Sequence, residues 1–386
     1  MYNFDEENNR FNTYSLKWDV KENELPMWVA DMDFKTLPEV ISALQEVASK
    51  GIFGYSIVCE EFFDAIIYWW EKRHHYLFKK ENMIFTTGIV AAISSMVRKL
   101  TSVGENVLIQ SPVYNIFYNS IYNNGRNIIS NDLVYENGTY HIDFDDLEKK
   151  LANPQTSLMI LCNPHNPIGK IWTKDELARI GHLCKKYNVI VISDEIHCDL
   201  CIPGCEYTPF FSASEECEQI GITCVAASKT FNLAGLQSAC VIVNNPYLRH
   251  KVYRGVNTDE VAEPNIFAMK GNIAAFKYGE KWVNELNEYL YNNRQIVFLF
   301  LKEKLPHLYL VPSEATYLLW IDVSYYSNDS ITLCDYIRKE TGLYLSDGNE
   351  YGQNGCHFIR MNIATTSKRV EDGLKRLKLA LDKLAK

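Results

Sequence analysis

The chain has 386 residues, 47% of them hydrophobic and 23% charged, with a formal net charge of −9. Such a chain can bury a large core and divide into two subdomains, and a negative balance without a basic stripe argues against nucleic acid or an anionic membrane as partner. No apolar run approaches the roughly 20 residues that span a bilayer. The acidic start, Met1-Tyr2-Asn3-Phe4-Asp5-Glu6-Glu7, lacks the regions of a signal peptide, so a cytoplasmic location is expected.

The N-terminal stretch carries Trp28-Val29-Ala30-Asp31-Met32-Asp33-Phe34, and a helix is predicted from Pro38, where proline suits the first turn. Phe53-Gly54-Tyr55-Ser56 reads as a turn before a long aromatic helix, whose stripe of Phe62, Ile66, Trp69 and Trp70 reads as core packing. From residue 83 short apolar strands alternate with amphipathic helices. Strands are predicted at 83–87, 106–110, 127–130, 157–162 and 189–193. Helices are predicted over 89–99, between Ser111-Pro112 and Asn123-Asn124-Gly125, and over 143–151. Another runs from the capping box Thr173-Lys174-Asp175-Glu176 to Tyr187. The nearly continuous apolar run at 189–193 suits a strand covered on both faces. This alternation predicts an α/β domain with a largely parallel sheet.

Beyond about residue 280 the pattern changes. A helix over 280–304, strands at 315–323 and 356–363, a helix over 331–341 between them and a final helix from Lys368 predict a smaller α+β subdomain. The N-terminal segment is expected to join it, giving divisions at 1–45, 46–280 and 281–386.

The 11 cysteines are odd in number and scattered, so no disulfide framework is expected. Cys198, Cys201 and Cys205 follow His197, and the C-x-x-C spacing resembles half a zinc or iron–sulfur site. A matching second C-x-x-C is absent. The expectation is free thiols packed as small hydrophobes, with no metal.

Ligands of an α/β sheet bind beyond the carboxyl ends of its strands, and four such ends here carry residues that suit one task. Ala226-Ala227-Ser228-Lys229-Thr230-Phe231-Asn232-Leu233-Ala234-Gly235 lies between apolar runs at 222–225 and 239–243 and reads as strand, loop, strand. Lys229 then sits in a tight turn with few carboxylates, which favours its free amine and suits Schiff-base formation; a solvated loop lysine is the plain alternative. Thr87-Gly88-Ile89-Val90 places a glycine at a helix start, where backbone N–H groups suit phosphate, or where the chain merely turns. In Asn163-Pro164-His165-Asn166-Pro167-Ile168-Gly169, Asn166 can donate to a ligand oxygen or cap its own loop. In Ser193-Asp194-Glu195-Ile196-His197, a buried Asp194 requires a cation or hydrogen-bond donors, and a pyridinium nitrogen is such a cation; capping the next element is the alternative. An anion cradle, a ring-oxygen donor, a buried carboxylate and a reactive lysine are together what pyridoxal 5'-phosphate requires.

With these residues the chain resembles the fold-type I pyridoxal-phosphate enzymes of the aspartate aminotransferase superfamily, and within it the cystathionine/cysteine β-lyases, the C–S lyase branch that includes cystalysin. Further residues carrying the resemblance are Val29-Ala30-Asp31-Met32-Asp33-Phe34, Gly54-Tyr55, Pro112-Val113-Tyr114, Glu314-Ala315-Thr316-Tyr317 and Phe358-Ile359-Arg360-Met361-Asn362. It spans nearly the whole chain in order. The resemblance implies that Lys229 is the Schiff-base lysine, that Asp194 keeps the pyridine nitrogen protonated, and that Asn166 and His197 lie near the ring hydroxyl. It further implies that Tyr114 stacks on the ring and that Gly88, Ile89, Val90 and Ser228 hold the phosphate, with Tyr55 reaching over from a second subunit of a homodimer. Arg360 would grip the substrate α-carboxylate, with Ala30 approaching it.

Ala227, Ala315 and Asn115 stand where relatives carry other residues or vary, which bears on the substrate rather than on the cofactor. The implied reaction is α,β-elimination of a sulfur amino acid to thiol, pyruvate and ammonia. Alternatives are an aminotransferase of the same fold and a regulatory protein-binding role on that scaffold.

Overall fold

The computed structural model describes residues 2–384. A seven-stranded sheet runs in the order Met83–Thr86, Ala239–Ile242, Gly221–Val225, Ile190–Asp194, Thr156–Cys162, Asn106–Ile109, Asn127–Ser130. Neighbours are parallel except where Ala239–Ile242 runs antiparallel to both of its own. The expected parallel sheet is therefore present, with one reversed strand. Its inner strands read as continuous apolar runs because both faces are covered. Leu158, Ile160 and Cys162 pack into one core cluster, and the alternate residues Met159 and Leu161 pack into the other. The register sets Cys162 beside Asp194, and Asp194 beside Cys224, so three adjacent strands end level with one another.

A second sheet, Tyr309–Leu310, Leu318–Asp322, Phe358–Asn362, Ser346–Asp347 in that order, is antiparallel throughout. Leu25–Pro26 pairs with Leu343–Tyr344 in parallel, which ties the N-terminal segment to the C-terminal part. Helix Glu280–Lys304 begins and ends where the sequence predicts.

Several elements differ from expectation. The lysine stretch is not a loop: Ala227–Thr230 is one helical turn, closed by Phe231 N–H to Ala227 O at 2.9 Å and followed by a 3-10 turn at Ala234–Leu236. Asp194 is the last residue of its strand rather than the first after it. Phe53–Ser56 forms no turn but part of an irregular connection from Gly51 to Cys59. The strand expected from Ala315 begins only at Leu318, because Thr316 takes φ 69° and interrupts the extended run. Val134–Glu136 and Thr139–His141 form a hairpin whose Asn137-Gly138 turn has φ 53° and 77°, the conformation that this pair favours. Helices Phe210–Ala213, Glu215–Ile220, Pro246–Thr258 and Ile266–Tyr278 complete the middle of the chain.

Helix Ile89–Leu100 points its N-terminus at the carboxyl ends of the strands, and its other end is held by buried Arg126. The guanidinium donates to Thr101 Oγ1 at 2.7 Å, to Thr101 O at 2.6 Å, to Arg98 O at 3.0 Å and to Asn124 O. Arg98 O and Thr101 O are carbonyls that the end of this helix leaves unpaired. Arg126→Met keeps the stem but strands them, so it is expected to cost about 2 kcal/mol in urea unfolding. A loss under about 0.5 kcal/mol would show that water replaces the guanidinium without penalty.

Candidate functional site

The helical turn sets Lys229 into a cavity of about 230 Å³ that is also lined by Gly88, Ile89, Val90, Tyr114, Asp194 and Ser228. Among the described residues no carboxylate is bonded to the Lys229 ammonium; Nζ donates instead to Ala30 O at 2.7 Å. Burial, then the neighbouring Arg360 charge, lowers its pKa to about 8, against a smaller opposite pull from Asp31 and Asp194. The free amine is therefore about a tenth of the population at pH 7, far more than for an ordinary lysine.

Asp194 is buried, and one backbone donor, Ile196 N–H at 3.3 Å, reaches its Oδ1. Burial raises its pKa to about 7, only partly offset by that N–H and by Lys229. Such a carboxylate lacks a cation. Burial likewise lowers His197 to about 3, with Lys229 and Arg360 adding to the effect, and its buried Nδ1 has no partner. The imidazole is neutral. Tyr114 is pushed up to about 12 by burial and Asp194, against Arg360, so its phenol stays protonated.

At the helix start Gly88 has φ 142° and ψ 157°, a region open to glycine alone, and a Cβ there would meet no atom within 4 Å. Backbone geometry, rather than crowding, requires the glycine. No side chain caps the first turn and no acidic residue stands in it, which leaves its N–H groups available to an anion. An uncapped helix start, an under-bonded carboxylate, an orphaned imidazole nitrogen and a lysine of lowered pKa fit pyridoxal phosphate. The cradle and Ser228 would take its phosphate, Asp194 its ring nitrogen and Lys229 its aldehyde.

Arg360 is buried beside this cavity. It donates to Asn166 Oδ1 at 3.2 Å and to Trp28 O at 2.8 Å, and its guanidinium lies 4.7 Å from the Tyr351 ring centroid. Because Asn166 turns Oδ1 toward Arg360, its NH₂ end is the one available to a ligand oxygen. Its own N–H donates to Cys162 Sγ at 3.4 Å. Tyr55 is fully exposed and does not line the cavity of its own chain.

The sequence reading assigned no role to three residues that hold the N-terminal strap over Lys229. Tyr317 donates its hydroxyl to Ala30 O at 3.0 Å. Asn362 Nδ2 donates to Val29 O at 2.6 Å and Asp31 O at 2.7 Å. Asn232 accepts from Met32 N–H at 3.0 Å and donates to Met32 O and Phe34 O at 2.9 and 3.1 Å. Their place two and three residues beyond Arg360 and Lys229, and in the run after Glu314, was the available signal for Asn362, Asn232 and Tyr317.

Among the described residues Cys198, Cys201 and Cys205 do not bring their sulfurs together as a ligand set, and Cys201 Sγ donates to Cys198 O at 3.2 Å. Ligand atoms of His74, Cys198 and Asp199 do lie within 4.8 Å of one another. Asp199, however, already accepts from His74 at 2.9 Å, Trp69 Nε1 at 3.0 Å, Arg73 Nε at 3.1 Å and Thr230 Oγ1 at 2.8 Å. Asp199 is thus engaged by four protein donors, three of them on Oδ1, and acts as an anchor for the turn carrying Lys229.

The aminotransferase class I and II family matches residues 23–377. Cystathionine β-lyase PatB of Bacillus subtilis is 39% identical over 98% of this chain and 100% of its own. Among solved structures, cystalysin of Treponema denticola, which contains pyridoxal 5'-phosphate, superposes with a TM-score of 0.96 at 33% identity over the whole of both chains. A pyridoxal-phosphate-bound C–S lyase of Staphylococcus hominis superposes with a TM-score of 0.93 at 34% identity, over 99% of this chain and 98% of its own.

In the cofactor-free protein, labelling of Lys229 by an amine-directed reagent is expected to rise with a midpoint near pH 8. Arg360→Met removes a neighbouring positive charge and should move that midpoint up; Asp194→Asn removes a charge that favours the ammonium and should move it down. Peptide mass spectrometry over a pH series checks both signs. A midpoint shared with the surface lysines would contradict the burial argument.

Proposed function

The chain belongs to the aminotransferase class I and II family, and from that premise we propose that it is a pyridoxal-phosphate enzyme that eliminates a thiol from sulfur amino acids, releasing pyruvate and ammonia. The observation that carries the reading is a lysine of lowered pKa and an under-bonded buried carboxylate lining one cavity beside an uncapped helix start. The cystathionine β-lyase and C–S lyase relatives support elimination over amino-group transfer.

When bound, pyridoxal phosphate supplies an aldehyde for the substrate amine and a conjugated ring that accepts electron density from Cα. The residues around it have distinct tasks. Arg360 pairs with the α-carboxylate, for which its planar fork is suited. The Lys229 amine takes the Cα proton, and a pKa of about 8 keeps it competent both to accept and to return it. Asp194 makes a positive charge favourable at the ring nitrogen. Asn166 would donate to the ring oxygen, with neutral His197 close by, and Tyr114 would cover the ring. Gly88, Ile89 and Val90 N–H groups with Ser228 would hold the phosphate. Ala30 brings the strap over the lysine, which limits water at the reacting carbon. Loss of the Cα proton is matched by departure of the thiolate from Cβ, and water converts the remaining three-carbon unit into pyruvate and ammonia.

The proposal includes a homodimer. Tyr55, exposed on its connection and outside its own cavity, supports that reading, since it is free to contact a second copy. A division into 1–45, 46–280 and 281–386 is supported by the separate antiparallel sheet and by the pairing of Leu25–Pro26 with Leu343–Tyr344. A cytoplasmic setting is supported by eleven free cysteines, the state that a reducing compartment maintains. Among the described residues no helix is long and apolar enough to cross a membrane.

Lys229→Ala is expected to abolish turnover and the visible absorbance of the lysine-bound cofactor; a variant retaining both would refute the assignment. Asp194→Ala should keep measurable substrate binding while kcat falls by about 100-fold or more. Pyruvate released from L-cystathionine with no keto-acid acceptor supports the lyase, whereas strict dependence on an acceptor would make the protein an aminotransferase.

A further inference from the structure

Asn115, next to Tyr114, donates its Nδ2 to Glu350 Oε2 at 2.9 Å. Asn115 precedes helix Ile116–Tyr122 beside the large sheet; Glu350 lies in the short turn Gly348–Tyr351, ahead of the strand that carries Arg360. The two segments are stitched again where Val113 N–H donates to Tyr351 O at 2.8 Å and Tyr118 OH donates to the same oxygen at 2.9 Å. Tyr114 is held between these bonds, and Tyr351 packs on the Arg360 guanidinium. Glu350 therefore stands at the edge of the site, next to the group that takes the α-carboxylate.

Its electrostatic position is unusual for a surface acid. Glu350 is exposed, yet desolvation at the rim raises its pKa, Asp347 raises it further, and Arg360 is the group that lowers it. Among the described residues it makes no ion pair; its side-chain bond is to the neutral amide of Asn115. Asp347, whose pKa is also raised by burial, spends Oδ1 on capping the turn through Glu350 N–H at 3.2 Å. Once a substrate carboxylate neutralises Arg360, Glu350 is left without the positive charge that lowers its pKa, while Asp347 still stands beside it. A cation arriving on the substrate itself would restore the balance.

We propose that Glu350 is a specificity-determining residue that receives an ammonium group on the arm of the substrate beyond sulfur. The inference rests on the elimination reading and deepens it by naming the substrate class: thioether or disulfide amino acids whose leaving arm carries a positive charge. A neutral alkyl arm gains nothing from Glu350, and an arm bearing only a carboxylate is repelled by it and by Asp347.

The test uses the holoenzyme with S-aminoethyl-L-cysteine, S-methyl-L-cysteine and S-carboxymethyl-L-cysteine, which differ in the charge of the arm. Wild-type kcat/KM should fall in that order. Glu350→Gln keeps the shape and an acceptor for Asn115, and should cut the aminoethyl-to-carboxymethyl ratio about tenfold, mainly through KM. Glu350→Lys should reverse the preference. The same three compounds are titrated by calorimetry against cofactor-loaded Lys229→Ala, with and without Glu350→Gln, so that binding is read without turnover. A ratio that moves less than about twofold in both assays overturns the assignment of Glu350. If no compound yields pyruvate but the binding order follows arm charge and collapses in Glu350→Gln, the elimination reading fails and the role of Glu350 stands.

Discussion

Two ionisable groups without adequate partners, part-buried Lys229 and buried Asp194, define this protein. Lys229 has a carbonyl where an ion pair would be cheaper, and Asp194 has one long N–H bond where a buried carboxylate ordinarily collects several. Neither is an accident of loop placement. Register alignment of three parallel strands brings Cys162, Asp194 and Cys224 abreast, and the thiols on either side offer the carboxylate no charge. Lys229 follows from the next strand by a single helical turn. The apolar layers on both sheet faces supply the stability that tolerates two such groups. Their lack of partners is what a charged, aldehyde-bearing ring would relieve.

That arrangement was largely readable from local pattern. The strands at Asn106–Ile109, Asn127–Ser130 and Thr156–Cys162, and the capping box at Thr173, are where apolar runs and polar punctuation put them. Gly88 was readable because its backbone conformation excludes other residues. The helical turn at Ala227–Thr230 was not, because four residues are too few to display a period, and Thr230 within it and Asn232 just beyond favour caps and turns as well as helix. Helix Ile266–Tyr278 escaped for the opposite reason: Ala268, Met269, Ala274, Ala275 and Phe276 are buried around much of its circumference, which erases the amphipathic signature. Residues 134–141 show what a closer reading would have found, since Asn-Gly between strand-forming residues is a strong hairpin signal.

Contacts between distant parts of the chain were beyond local pattern. The strap from Val29 to Phe34 is fixed by Asn232, Tyr317 and Asn362, each reaching its backbone from about 200 residues or more along the chain. Side chains bonding to backbone give no covarying charge or spacing to notice. Further out, Asp33 is buried against Lys17, Arg10 and Trp18, so the strap is clamped on its outer side by an ion cluster of its own. The carbonyl of Ala30 is thus delivered to Lys229 by a rigid support rather than by a mobile arm.

Asp194 and Asp199 show why composition alone could not have separated function from scaffolding. Both are buried aspartates on the same short segment, and burial pushes the pKa of each upward. At Asp199 the bond and charge of His74, the Arg73 charge and the Thr230 hydroxyl outweigh burial, and its pKa falls below the ordinary carboxylate value. At Asp194 a single N–H and a distant ammonium do not, and the pKa settles near 7. Asp199 is finished by the protein: it anchors Thr230 and through it the turn that aims Lys229. Asp194 is left unfinished, and a buried acid that the fold declines to satisfy is the position at which a bound cation gains most. Glu195 has the donors that Asp194 lacks, from Ser193, Tyr207 and Phe210 N–H, although burial raises its pKa to about 7 as well. Donor count around each carboxylate, not burial or residue type, distinguishes the group left free for a ligand from the groups that hold the fold.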